Sequence, residues 1–163
     1  MKIIIATGGS GGHIFPAALV AGELKKDSHE VLMMGVFKQY KNYLESRQLA
    51  YEEHNATGVF GPGKNDYFSS IVNMFKAIKA CHSRLKDLKP DVVAGFGGYG
   101  AFPVVAAALL LKIPTIIHEQ NVVPGRANRL LGLFVRDVAI SFAQTKHYWK
   151  KYETGSDRMP LPC

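Results

Sequence analysis

A chain of 163 residues with 47% hydrophobic and 20% charged residues is long enough for one domain with a real core. Its two cysteines, Cys81 and Cys163, are too few for a disulfide framework, show no metal-ligand spacing and fit a reducing, cytoplasmic setting. The net charge of +7 admits nucleic acid, an anionic membrane or a phosphorylated substrate, but the basic clusters at 76–89 and 146–151 lack interleaved aromatics, so no nucleic acid is expected.

The start MKIIIATGG is not a signal peptide, because its apolar run is short and breaks into glycines. Ile3, Ile4, Ile5 and Ala6 within 2–6 read instead as a buried parallel strand. Gly8, Gly9, Gly11 and Gly12 follow at once, with Ser10 between them and His13, Ile14, Phe15 and Pro16 after. Glycines let the backbone turn sharply there, and Pro16 suits the first turn of a helix over 16–26. Such a strand–loop–helix unit aims N–H groups at an anion, usually a phosphate or diphosphate. His13 adds a titratable group at its rim.

Two better-known phosphate loops are excluded. The Walker loop ends in Gly-Lys-Ser/Thr, whereas Gly12 precedes His13 and Ile14. The dinucleotide fingerprint would need a glycine where Ile14 stands. It also needs an acid after the second strand, but the strand over 30–34 runs into Val36, Phe37 and Lys38. A nicotinamide, flavin or ATP site is therefore disfavoured.

A helix over 38–47 and a strand over 51–54 come next, then a glycine- and proline-rich loop over 57–65. The helix over 67–88 carries Phe68, Ile71, Val72, Phe75 and Ile78 at helical spacing, with lysines near them. That face packs on the sheet or rests on anionic lipid; the membrane candidates are Phe68, Val72, Phe75 and Ile78. After a strand over 91–94, Gly95, Gly97, Gly98 and Gly100 form a second glycine loop before a helix over 101–111. Tyr99 stands at its rim, to stack on a ligand or to cap the core.

The strand over 115–118 leads into His118, Glu119, Gln120 and Asn121, the densest polar cluster of the chain. Glu119 or His118 has the chemistry to take a proton from a hydroxyl. Asn121 reads as a helix cap or a ligand contact, and Asn128 lies in the following helix over 125–133. A strand over 137–141 and a short helix over 144–148 complete the pattern. Alternating strands and helices with apolar strands predict an α/β fold, a doubly wound parallel sheet with ligands at the carboxyl ends of its strands.

The run Gly8 to Ala17, the triplet Gly97-Gly98-Tyr99, and His118-Glu119-Gln120-Asn121 with Pro124, Gly125 and Asn128 together resemble the amino-terminal half of the MurG family. The resemblance spans nearly the whole chain up to the second basic cluster, and the combination is more specific than either glycine loop alone. It implies a Rossmann-like acceptor-binding domain of a GT-B glycosyltransferase, occupying 1–163 as a single domain. The family is inverting and moves GlcNAc from UDP-GlcNAc to the MurNAc 4-hydroxyl of lipid I, an undecaprenyl diphosphate-linked MurNAc-pentapeptide, in peptidoglycan synthesis. No metal or other cofactor is implied.

By the same resemblance, His13 is the first candidate for the base and Glu119 the second. Ser10, Gly11, Gly12 and Asn121 would reach the donor, and Gly97, Gly98, Tyr99 and Asn128 complete the expected substrate contacts. The implied location is peripheral, on the cytoplasmic face of the bacterial plasma membrane, against the anionic inner leaflet. The carboxy-terminal donor-binding domain is absent from the chain, and the family's Gly-Asn-Pro-hydrophobic-Arg segment is not recognisable over 155–162. The chain alone is therefore expected to be inactive without a donor-binding domain or subunit. The alternative is a non-catalytic membrane- or diphosphate-lipid-binding subunit of a split glycosyltransferase.

Overall fold

The computed structural model describes residues 1–54 and 67–149, with the side chains of the helix that starts at Tyr67 described from residue 69 onward. The loop expected over 57–65 and the end of the second basic cluster lie outside the described residues. Six parallel strands form one sheet: β1 (Lys2–Gly8), β2 (Glu30–Val36), β3 (Tyr51–Glu53), β4 (Val92–Gly95), β5 (Thr115–Glu119) and β6 (Asp137–Ile140). Their order is β3-β2-β1-β4-β5-β6. β1 pairs with both β2 and β4, for example Ile4 with Leu32 on one side and with Val93 on the other. The winding therefore reverses between β1 and β4, which leaves a crevice at their carboxyl ends.

Two apolar clusters sandwich the sheet. On one face α1 (Gly11–Lys26) and α2 (Lys41–Ser46) cover Ile3, Ile5, Met33 and Phe96. On the other, α3 (Tyr67–Leu88), α4 (Phe102–Leu110) and α5 (Arg126–Leu131) cover Ile4, Ala6, Val93, Ile117 and Val138. Residues alternate between the two clusters along β1 because strand side chains point to opposite faces in turn.

The expected α/β fold is the one observed, with shifted ends. α1 begins at Gly11 rather than at Pro16, so Pro16 lies inside the helix. Its missing N–H forfeits only a bond to Gly12, near the helix start. Ile14, Ala17, Ala18 and Ala21 recur along one buried stripe, and Lys25 and Lys26 suit the negative end of the helix dipole. Residues 38–40 form a 3₁₀ turn before α2, and 143–148 form another after β6.

α3 corrects one expectation. Its sheet-facing residues are Ala77, Cys81 and Leu85, with Ile78 partly buried against the same core. Ile71 and Phe75 point away, 44% and 67% exposed. The proposed membrane face thus splits: Phe75 is exposed, Val72 is half-buried, Ile78 belongs to the packing and the side chain of Phe68 lies outside the description. No described helix is long and apolar enough to cross a membrane.

Candidate functional site at the sheet switch point

The loops after β1, β4 and β5 meet at the crevice. After β1, Gly8 and Gly9 take positive φ, and the chain enters α1 through an extended Ser10. Ser10 is exposed, and its hydroxyl makes no capping bond. The Gly11 N–H donates to the Tyr40 hydroxyl at 3.0 Å, and the His13 N–H donates to the Ser10 carbonyl at 3.2 Å. The N–H groups of Ser10 and Gly12 have no hydrogen-bond partner among the described residues. They lie at the positive end of a 16-residue helix with no acid in its first turn, the arrangement that favours an anion.

The second glycine loop packs directly on the first. A Cβ on Gly98, where φ is +78°, would lie 1.9 Å from the Gly8 carbonyl oxygen. A Cβ on Gly97 would press on the His13 ring at 3.1 Å and on Asn128 Nδ2 at 3.2 Å. Close packing thus accounts for the glycines at 97 and 98, which the sequence also allowed to be phosphate contacts. The Tyr99 ring lies over Gly9 and packs with Val36 and Ala77, so it caps the core. Lys38 Nζ stands 5.9 Å from the centre of that ring.

The His13 imidazole therefore rests on the Gly97–Gly98 backbone. Its Nδ1 is 3.1 Å from Gln120 Oε1, and its Nε2 has no partner among the described residues. Gln120 Nε2 donates to the Phe96 carbonyl at 3.0 Å and lies 3.1 Å from His118 Nδ1. His118 Nε2 is 3.1 Å from Ser141 Oγ. Burial holds the His118 imidazole below its ordinary pKa, partly offset by the Glu119 charge.

Glu119 is placed differently from the expectation. It is 1% exposed, on the α5 side of the sheet. Its Oε1 accepts from the Asn121 N–H and Asn121 Nδ2, both at 2.9 Å. Its Oε2 accepts from the Gly125 N–H at 3.1 Å and from Asn128 Nδ2 at 2.9 Å. Four donors from its own loop fill this carboxylate, and it organises that loop. Asn128, expected to touch substrate, is 2% exposed and ties Glu119 to the His118 carbonyl. Asn121 does not cap α5, whose N-cap is Gly125. It is exposed, but its amide nitrogen turns inward to Glu119 and its carbonyl accepts from Thr145 Oγ1 at 3.1 Å.

Gln120 and Ser141 join the site although the sequence assigns neither a role of its own. A strand-period count would have found Gln120. His118 and Gln120 fall on one face and Glu119 on the other, as the alternating burial of β5 records. Among the described residues no three His, Cys, Asp or Glu side chains gather as a metal site.

The profile of the family described as Glycosyltransferase family 28 N-terminal domain matches residues 3–140. The UDP-N-acetylglucosamine–N-acetylmuramyl-(pentapeptide) pyrophosphoryl-undecaprenol N-acetylglucosamine transferase of Rhodospirillum rubrum is 38% identical over 151 residues. That match covers 90% of this chain and 38% of the relative. The crystal structure of Acinetobacter baumannii MurG matches with a TM-score of 0.76 at 31% identity, over 96% of this chain and 43% of that one. UDP-GlcNAc 2-epimerase from Neisseria meningitidis, bound to UDP-GlcNAc, matches with a TM-score of 0.74 at 18% identity, over 97% and 44%. That last likeness is one of fold alone. The chain spans less than half the length of these relatives. Its sheet is the Rossmann-like amino-terminal layer of a GT-B fold. The chain belongs to the glycosyltransferase family 28 N-terminal domain family and is similar to MurG within it.

Proposed function

We propose that this chain is the acceptor-side half of an inverting glycosyltransferase. The whole enzyme moves GlcNAc from UDP-GlcNAc to the MurNAc 4-hydroxyl of lipid I in peptidoglycan synthesis. The observation that carries the reading is the His13 imidazole, seated between the two glycine loops with Nε2 unpartnered among the described residues, beside the open N–H groups at the start of α1.

The chemistry follows from that placement. A sugar hydroxyl is a weak nucleophile until a base takes its proton. His13 Nε2 accepts the proton as the 4-oxygen forms its bond to the anomeric carbon of GlcNAc. The bond from that carbon to the diphosphate breaks on the opposite side, and its electron pair leaves with UDP. Attack from behind the leaving group inverts the anomeric configuration. The α1 N-terminus, with Ser10 and Gly12, stabilises diphosphate charge at the crevice. Glu119 and Asn128 hold the β5 loop in place from below.

The donor is bound mainly by a second domain or subunit, so the chain by itself does not turn over. The test is a transfer assay with UDP-GlcNAc and a lipid I analogue. No product is expected from the chain alone, and product is expected once a donor-binding half of a related enzyme is supplied. Turnover by the chain alone contradicts the proposal, as does failure with every competent donor half.

A second reading is favoured by Ile71 and Phe75, exposed beside Lys76 and Lys79 on α3. In it the chain is a non-catalytic subunit that binds an anionic membrane and recruits a partner. Salt-sensitive sedimentation with anionic vesicles, without any transfer in the reconstituted assay, selects this reading over the first.

A further inference from the structure

We propose that Gln120 is a positioning residue that fixes a proton on Nδ1 of His13 and so leaves the Nε2 lone pair for the acceptor hydroxyl. The inference rests on the reading of His13 as the base, and it names the residue that makes His13 competent.

The Phe96 carbonyl fixes the row of hydrogens. A carbonyl oxygen only accepts, so the Gln120 atom 3.0 Å from it must be the amide nitrogen. That contact settles which way the amide lies. Gln120 Oε1 then faces His13 Nδ1 at 3.1 Å, and an amide oxygen only accepts. Nδ1 must therefore carry a hydrogen. A neutral imidazole holds one N–H, so Nε2 is the lone-pair nitrogen. The second amide hydrogen of Gln120 points to His118 Nδ1 at 3.1 Å, which accepts it. His118 Nε2 is then the N–H that faces Ser141 Oγ at 3.1 Å. The hydrogens on Gln120, His13 and His118 thus follow from one backbone acceptor.

The arrangement has a catalytic consequence. A histidine side chain free in water prefers its hydrogen on Nε2, the wrong nitrogen for a base whose Nδ1 faces the protein. Gln120 reverses that preference. When Nε2 takes the acceptor proton, the amide oxygen remains on the Nδ1 side of the imidazolium and stabilises it. Partners that orient a histidine through its second nitrogen typically contribute 10- to 100-fold to function in metal sites.

The test reads the tautomer directly. Long-range ¹H–¹⁵N correlation spectra of the ¹⁵N-labelled chain distinguish a neutral ring protonated at Nδ1 from one protonated at Nε2. His13 is expected to carry its hydrogen on Nδ1, and Gln120→Leu is expected to move it towards Nε2. A wild-type ring protonated at Nε2, or a tautomer unaffected by Gln120→Leu, overturns the proposal. Gln120→Met keeps the length of the side chain and removes the amide oxygen, so it is expected to move the hydrogen in the same direction. An Nδ1 hydrogen retained in Gln120→Met contradicts the proposal even if the leucine variant fails to fold. In the reconstituted transfer assay, Gln120→Leu should lower kcat roughly 10- to 100-fold with KM little changed. Activity of His13→Ala decides separately whether His13 is the base, whereas the spectra decide what Gln120 does to it.

Discussion

At the scale of the residue, the site depends on contacts too close to tolerate one extra atom. Gly98 is in the left-handed region, and its missing Cβ makes room for the Gly8 carbonyl oxygen. Gly98→Ala must therefore push the two loops apart as well as accept a strained backbone, which alone costs about 1–3 kcal/mol. A clearly lowered thermal midpoint is expected, and an unchanged midpoint would mean that the loops do not touch as described. Glu119 supports a second prediction. Glu119→Gln replaces one acceptor oxygen with an NH₂ that faces two donors, at about 1–3 kcal/mol for the group left unpaired. For a domain of this size that corresponds to roughly 2–4 °C per kcal/mol in thermal midpoint. The loss should appear in calorimetry. Activity per folded molecule should fall far less than for a variant lacking a true base.

The buried histidines make the same scale sensitive to pH. His54 is held below its ordinary pKa mainly by burial, although its Nε2–H donates to the Gly100 carbonyl at 2.8 Å. His54 Nδ1 is buried without a partner among the described residues, so a proton there would meet no acceptor among them. Burial depresses His118 as well. For both, the folded chain holds the proton less tightly than the unfolded chain. Their contribution to stability is complete above about pH 6.5, the ordinary imidazole value, and is lost as pH falls through the depressed folded-state values. Unfolding midpoints measured from pH 7.5 down to 5 should fall, and His54→Gln should flatten part of that fall. A pH-independent midpoint would contradict the burial of both rings.

At the scale of the element, α3 carries two faces with different jobs. Ala77, Cys81 and Leu85 lie against the sheet, while Ile71 and Phe75 face outward beside Lys76 and Lys79. Phe75→Glu should leave the fold intact, because the residue is already 67% exposed. It should weaken binding to anionic vesicles in a sedimentation assay; equal binding by the variant would remove this face from any membrane contact. The same helix marks a limit of the sequence. Phe68, Ile71, Val72, Phe75 and Ile78 lie near one another on a helical wheel. Which of them meets the sheet depends on how α3 is rolled against α4, and no local pattern encodes that roll. The strands were legible because their apolar runs are short and end in glycine or polar clusters. The start of α1 was not, since Pro16 marks an early helical position but not which one.

At the scale of the whole molecule, the strand order gathers the chemistry. β1 and β4 are adjacent although their sequences lie far apart, so the loops that follow them share one crevice. The three polar or glycine-rich segments could be picked out from the sequence because each follows an apolar strand. Their division of labour could not. That Gly97 and Gly98 serve packing, that Glu119 turns inward and that Gln120 turns towards His13 depends on contacts between residues about 85 to 110 positions apart, or on which face of β5 looks at α1.

The central claim is that a proton leaves the acceptor hydroxyl at His13 Nε2. It is tested most directly by the turnover of His13→Ala in the transfer assay reconstituted with a donor-binding half. The expected result is kcat lowered roughly 10²- to 10⁴-fold, as for loss of a general base, with the thermal midpoint close to that of the parent chain. Turnover at the parent rate would contradict the account.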